Sequence, residues 1–310
     1  YDMVGPAPTL PGILGASAPK INNADMKSYG WEMELSWRDR IEDFNYGVRF
    51  TLADGQRKVL KYPNESGDIY SWYNNKLDGT IWGYTTVGIA QTQEEMNAHL
   101  ANNKPNWGSN WGAGDIMYAD LNGDGEVTSG SKTLNDHGDL KVIGNSYARY
   151  NFGFTVDGSW RGLDFSIFLQ GTMKRDYWLD GPYFWGASGD EWQSACFTEH
   201  LDYWTPEHTN AYYPKPYFGN IKKNQEVQSG YLQNAAYLRV KNVQVGYTLP
   251  KSWTKKAAME SVRFYVSGDN LLTWTGISSI FDPETLGGDW GPGKLYPLQR
   301  TLSVGVNVNF

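Results

Sequence analysis

The sequence predicts an all-β chain of antiparallel hairpins, and three observations carry that prediction. The first is the last stretch, Arg300 to Phe310, reading RTLSVGVNVNF. Leu302, Val304, Val306, Val308 and Phe310 share one face of an extended strand, and Ser303, Gly305, Asn307 and Asn309 share the other. Side chains alternate between faces in a strand, so this is an unbroken period of two. The second is the same alternation in two earlier hairpins, around Leu35 and Phe152. The third is composition: 310 residues include 35 Gly, 14 Trp and 21 Tyr, with a hydrophobic fraction of 40%. That mixture suits strands, turns and aromatic loops better than helices. An apolar strand face must be covered by a neighbour or by lipid. About nine to eleven tilted residues cross a bilayer core, and apolar-out, small-polar-in alternation ending on an aromatic suits the wall of a transmembrane β-barrel. A half-buried sandwich strand reads the same way locally.

Residues 1–25 are rich in Pro, Gly, Ala and Asn and read as an extended lead-in segment. From Tyr29 to Arg38, Trp31, Met33, Leu35 and Trp37 alternate with Glu32, Glu34 and Ser36. Asp39–Asp43 then forms a polar turn, and Tyr46, Val48, Phe50 and Leu52 return against Gly47, Arg49 and Thr51. Residues 55–147 read as a long loop containing β character at Ile81–Thr92, a short helix at Gln93–Asn102, and Trp107 and Trp111 in a Gly/Asn setting. Arg149–Arg175 is the second hairpin. Tyr150, Phe152, Phe154 and Val156 are apolar, the turn falls near Ser159–Gly162, and Leu163, Phe165, Ile167 and Leu169 continue that face. The inward set is Asn151, Gly153, Thr155, Asp157, Asp164, Ser166 and Gln170, with few charges and many small residues, as in a crowded lumen. Residues 176–230 hold no sustained period, and loops of that length are usually functional. Ala236–Leu249, Ser261–Thr273 and the final strand bring the count to about eight. Short turns at one end and long loops at the other are the asymmetry of outer-membrane barrels.

A net charge of −7 and a pI near 5.2 argue against nucleic acid as a partner, because phosphate binding wants a basic face. One cysteine, Cys196, excludes an intrachain disulfide framework, and no Cys/His cluster suggests zinc. No run of eighteen apolar residues offers a transmembrane helix. The start, YDMVGPAPTLPG, has neither an initiating Met nor a signal peptide, so a mature or cut piece of a longer protein is expected. The sequence contains no GxSxG, HExxH, GxxxxGK[ST], or GxGxxG at a strand–helix junction. His99, His137, His200 and His208 have no partners at ligand spacing. The Asp190/Glu191 pair has the residue type of a glycosidase, but adjacency in sequence says nothing of separation in space. No enzyme is expected.

One motif carries chemistry. Asp120-Leu-Asn122-Gly-Asp124-Gly125-Glu126-Val127 matches the first half of a calcium loop, with oxygens at positions 1, 3 and 5, a Gly at 6 and a backbone carbonyl at 7. Position 12, which should be a bidentate acid, is Ser131, and Asp136 and Asp139 follow later. The expected ligand set for a structural Ca2+ (or Mg2+) is therefore Asp120, Asn122, Asp124, Glu126, Asp136 and Asp139. The competing reading is an Asx-rich turn that binds nothing. The second candidate site is the aromatic loop. Trp185, Trp192, Tyr203, Trp204 and Tyr213 offer flat apolar faces with polar tips that pack on sugar rings or peptide side chains. An interfacial belt with loop self-packing is the plainer alternative.

Six stretches together resemble one family, the SusC-type TonB-dependent transporters of Bacteroidetes outer membranes. They are GDIMYADLNGDGEV (114–127), HGDLKVIGNSYARYNFGF (137–154), SWRGLDFSIFLQG (159–171), YLRVKNVQVGYTLP (237–250), VRFYVSGDNLLTWT (262–275) and DPET (282–285). They stand in the family's order and span Met26 to Phe310. The resemblance implies that 26–310 is the C-terminal part of a 22-stranded transmembrane antiparallel β-barrel, with long extracellular loops at about 55–147 and 176–230. The family's plug and TonB-binding box have no counterpart in this chain. The implied function is import of glycan or peptide oligomers across the outer membrane. The implied partners are the N-terminal remainder of the transporter (plug and other strands), a SusD-like surface lipoprotein, the TonB complex, and outer-membrane lipid and lipopolysaccharide. The family's acidic loop closes with acids directly after DGxI, whereas here residues are inserted and Asp139 stands before LKVIG. The rival reading is a soluble calcium-dependent carbohydrate-binding or hydrolytic β-sandwich, and a minor third is a structural barrel without transport. The apolar stripes separate them, because a sandwich must bury one face of every strand.

Overall fold

A computed structural model describes residues 3–5, 13, 15, 19–186, 196–217, 223–287 and 291–310. In chain order the strands are β1 (Met3–Gly5), β2 (Ile21–Ile41), β3 (Phe44–Lys61), β4 (Thr80–Gly83), β5 (Thr86–Ile89), β6 (Lys104–Pro105), β7 (Ile116–Tyr118), β8 (Glu126–Val127), β9 (Lys141–Asn145), β10 (Arg149–Trp160), β11 (Leu163–Lys174), β12 (Asp176–Tyr177), β13 (Gln233–Thr248), β14 (Ser261–Gly276) and β15 (Thr301–Asn309). One helix of two turns, α1 (Gln93–Leu100), is capped by Thr92, whose side chain accepts from the Glu95 amide. The main sheet is antiparallel in the order β1-β2-β3-β10-β11-β13-β14-β15, with β12 added alongside β13. Neighbours in sequence pair in space except where the two longest loops intervene.

Register places the apolar residues in continuous rows across this sheet. Leu35 faces Phe50, then Phe154, then Leu169. Further along, Phe165 faces Val245, then Val266, then Val304. Among the described residues nothing covers that face. Trp37 is 62% exposed, Leu302 74% and Val304 82%. A soluble sandwich would have buried these rows, so the alternation reads as a face made for lipid.

The opposite face carries more charge than its small residues suggest. Arg49 pairs with Glu34 at 2.9 Å, Arg38 with Asp157 at 3.3 Å, and Arg263 with Asp164. The small residues make room for these pairs. A Cβ at Gly47 would lie 2.9 Å from the Asp157 carboxylate, and one at Gly246 would collide with the Arg263 guanidinium. Glycine here serves lumen-side packing rather than turn geometry.

The two ends of the sheet differ as barrel ends do. Tight turns at Glu42–Asp43 and Arg161–Gly162 and the 249–260 link lie at one end, and loops 62–148, 175–232 and 277–300 lie at the other. The packed core is in this loop layer, not on the sheet. Ile69, Ile116, Tyr118, Val127, Leu140, Leu179, Phe184 and Leu286, all at most 3% exposed, come together from all three loops. The small pairs β4–β9, β5–β7 and β6–β8 brace it.

The sheet departs from the sequence reading in two places. Ile81–Thr92 does form strands, but β4 and β5 belong to the loop layer, and the eighth wall strand is β1. The first hairpin is longer than its alternation: β2 begins at Ile21 and β3 continues to Lys61. About ten residues suffice to cross a bilayer. The extensions run into the loop layer, where Val59 is buried and exchanges backbone bonds with Asn75 and Lys76, and no alternating apolar face is found in INNADMKSYG.

Candidate functional site

Loop 175–232 folds its aromatic run into two cavities that share a wall. The smaller, about 220 Å3, is lined by Trp185, His200, Tyr203, Tyr213, Lys215 and Tyr217 among others. The larger, about 470 Å3, is lined by Tyr203, Trp204, Lys215, Pro216 and Tyr217, with Asn110 from loop 62–148. Four of the five predicted aromatics are thus brought together, and Trp192 lies outside the described residues, as do Asp190 and Glu191. Their roles differ. Trp185 and Tyr213 belong mainly to the packed core, Trp185 lying 4.8 Å from Tyr231 and Tyr213 5.7 Å from Phe184. Trp204 is 5% exposed. Tyr203 keeps an open face, and it lines both cavities. Self-packing therefore takes up much of this run, and Tyr203 leaves a face towards both cavities.

The wall between the cavities rests on a buried ion pair that no sequence pattern announced. Lys223 is 1% exposed and its Nζ lies 2.6 Å from Oδ2 of the fully buried Asp115. Nζ also donates to the Asn110 carbonyl at 2.7 Å and sits 4.2 Å from the Tyr217 ring centroid. Asp115 accepts further from the Gly112 amide at 2.7 Å, Asn224 Nδ2 at 2.9 Å and the Tyr217 hydroxyl at 3.3 Å. Both oxygens thus have donors, which a buried carboxylate needs. Burial, and then the Asp115 carboxylate, push the Tyr217 phenol well above its ordinary range.

A second polar cluster ties loop 277–300 back to the sheet. Arg239 on β13, 3% exposed, pairs with Asp282 and Glu284 at 2.8 Å each, and Lys241 reaches Glu284 at 2.8 Å. Arg175 donates to the Pro283 carbonyl at 3.3 Å and Tyr177 to the Leu286 carbonyl at 3.1 Å. The DPET signature was legible as a motif; its partners were not.

The acidic motif folds as a self-satisfied turn. Asp120 accepts from the amides of Gly123 at 2.6 Å and Gly125 at 2.8 Å, and these bonds hold its carboxyl below the usual range. Asn122 Oδ1 accepts from the Asp124 amide, and Asp124 Oδ1 from the Glu126 amide. Asp139 is buried and spends both oxygens on the amides of Leu121, Asn122 and Thr128. Asp136 serves the separate 131–136 turn through the Ser131 amide. Of the later acids, Asp139 thus packs against the motif through its amides while Asp136 is held in another turn. Among the described residues no three acidic, histidine or cysteine side chains are grouped to hold a metal. As folded, these residues do not fit a bound Ca2+ or Mg2+.

Three of the histidines have local hydrogen-bond partners. His99 Nε2 meets the Tyr118 carbonyl at 2.8 Å, and His208 Nε2 meets Asp202 at 2.8 Å. His200 Nδ1 accepts from the Phe197 amide, so its Nε2 proton faces the carbonyls of Tyr183 and Phe184. His137 Nδ1 is buried without a hydrogen-bond partner. Cys196 is exposed at the rim of the smaller cavity.

Comparison with known proteins gives one consistent answer. No family model matches the chain. It is 26% identical over 339 aligned residues to the TonB-dependent receptor P3 of Formosa agariphila, covering 100% of this chain and 31% of that protein. It is 22% identical to the TonB-dependent receptor SusC of Bacteroides thetaiotaomicron, covering 93% of this chain and 27% of that one. Among solved structures, the RagAB peptide transporter superposes with a TM-score of 0.68 at 21% identity, over 100% of this chain and 32% of its own. The chain spans about a third of the length of the curated relatives it matches. The resemblance read from six motifs extends along essentially the whole chain, and the fold is that of a TonB-dependent receptor barrel wall.

Proposed function

We propose that this chain forms the C-terminal portion of the barrel of a SusC-like TonB-dependent importer in the bacterial outer membrane. The observation that carries the reading is the bare apolar face beneath a well-packed loop layer: among the described residues nothing covers Val304 and its row, while the loops have a core of their own. In this reading lipid and lipopolysaccharide cover the apolar rows. The remainder of the transporter, plug included, completes the wall, and TonB supplies the energy. A SusD-like lipoprotein closes the loop side over the aromatic cavities. The cargo is a glycan or peptide oligomer, held without any bond being made or broken. Tyr203 and Lys215 line both cavities and are the residues assigned to cargo contact. An aromatic face beside a single ammonium suits a chain of alternating apolar and polar groups.

The experiment is purification of the intact transporter from outer membranes, followed by mass spectrometry of what elutes with it. The expected result is a lipoprotein partner and bound oligomers, with Tyr203→Ala lowering oligomer recovery several-fold. A protein that stays monodisperse without detergent would overturn the proposal.

A further inference from the structure

At the short-turn end of the bare face one residue is covered. Val262 on β14 has the same facing as Phe264 and Val266, which are exposed, yet it is only 5% exposed itself. The cover is local, because Val308, opposite Val262 on β15, stays exposed. It comes from the 249–260 link, whose helical turn Lys251–Thr254 packs on β14 with Thr254 buried. The link is pinned at both ends. The Leu249 amide donates to the Val262 carbonyl at 2.9 Å and the Glu260 amide to the Asn309 carbonyl at 2.8 Å. Within it, the Met259 amide donates to the Thr254 carbonyl at 3.1 Å. The link therefore lies against the outer face of the wall in a fixed form, which spares the ordering cost of binding.

What the link leaves exposed has one chemistry. Lys251, Lys255 and Lys256 all face solvent, Trp253 is 64% exposed, and the only acid in the segment is Glu260. Among the described residues none of these lysines takes part in an ion pair. An indole with an apolar body and one polar tip settles at the level of lipid headgroups, and an ammonium is a compact partner for phosphate. Position agrees with chemistry. Headgroups fill roughly 5–8 Å beyond the hydrocarbon on each side, and the link stands just past the last apolar positions, on the side of the short turns, which in outer-membrane barrels is the periplasmic side. The plug lies within the wall and cannot reach the outer face. A soluble acidic protein would have to displace the lipid meeting Val306 and Val308 on the adjoining strand. We propose that residues 251–256 bind the phosphate of an anionic glycerophospholipid in the periplasmic leaflet, an inference that rests on the reading that lipid covers the outer face.

The test uses the intact transporter in phosphatidylcholine vesicles, with brominated phosphatidylglycerol or brominated phosphatidylcholine as the quencher of tryptophan fluorescence. The Trp253 signal is the difference between the unaltered protein and Trp253→Phe. Brominated phosphatidylglycerol should quench it at about fivefold lower mole fraction than brominated phosphatidylcholine, the effect of one lysine near an anionic surface. Lys251→Gln, Lys255→Gln and Lys256→Gln together should remove that preference, and Arg at the same three positions should keep it. A preference below about twofold, or one that survives the Gln replacements, overturns the site. So does its loss on adding excess inorganic phosphate at constant ionic strength, which would mark a site for the free anion. The Trp37 signal, taken from Trp37→Phe in the same way, reports lipid on the bare face. If neither lipid quenches Trp37, the importer reading fails and takes this site with it; if both quench it while Trp253 shows no preference, this site alone fails.

Discussion

Placing arginine along β15 tests the lipid-facing assignment directly. Leu302, Val304, Val306 and Val308 stand on the bare face, two residues apart. Each residue advances about 3.3 Å along a strand. At the tilt of about 40° usual in outer-membrane barrels, successive outward positions differ in depth by roughly 5 Å, and the nine residues of β15 span about 23 Å, close to the roughly 25 Å apolar band. Val304 and Val306 then lie near the midplane, with Leu302 and Val308 towards its edges. Arginine costs about 2–4 kcal/mol at the midplane and about 0–1 near the interfaces. The expected profile for Leu302→Arg, Val304→Arg, Val306→Arg and Val308→Arg is a peak at the two central positions. Ser303→Arg, on the opposite face, should fall off that profile. Unfolding in urea, read as the fraction of intact transporter in lipid that keeps its folded mobility on cold gels, gives the free energies. Were the face simply open to water, arginine at a position 82% exposed would change stability by less than about 0.5 kcal/mol. A flat profile across all four positions would therefore refute the assignment.

Other consequences concern the loop layer. Asp115→Asn leaves the Lys223 ammonium buried without its counter-charge, a loss of about 3 kcal/mol or more, so amides of 107–118 should exchange roughly 100-fold faster; a change below threefold would count against the pair as the keystone of that wall. Glu284→Gln removes the charge shared by Arg239 and Lys241 and should weaken the hold on loop 277–300 by about 1.5–3 kcal/mol, seen as faster proteolytic nicking there. Asp120, whose carboxyl is held low by the Gly125 and Gly123 amides, stabilises its turn above the unfolded value near 3.9. That contribution should be lost as pH falls from about 4 through the lower folded value, with faster exchange at Gly123 and Gly125. At neutral pH the same amides should exchange equally with Ca2+ or with chelator, and slowing by Ca2+ would show that the turn reshapes around the ion.

Legibility in this chain follows where each side chain finds its partner. In the wall strands the partner is the solvent on each face, so alternation alone reveals Trp31 to Trp37, Phe152 to Val156 and Leu302 to Phe310. The rule falls silent where no apolar alternation is present, which is why Ile21–Asp25 read as a lead-in although they are strand. It misleads in the loops. Trp185 and Tyr213 look like a ligand platform, yet much of their surface goes into a core assembled from three loops, a non-local outcome that no window of sequence records. Lys223 and Asp115 lie 108 positions apart and carry no spacing signal, although burying both is the most demanding electrostatic feature of the loop layer. The acidic motif fails differently. Its first five positions bend the chain as a calcium loop would, but the acids that should complete the shell are spent on amides of their own neighbourhood. A turn sequence of this kind specifies a bend; what fills it depends on where Asp136 and Asp139 go, and the insertion after Val127 sends one to another turn and buries the other beneath this one.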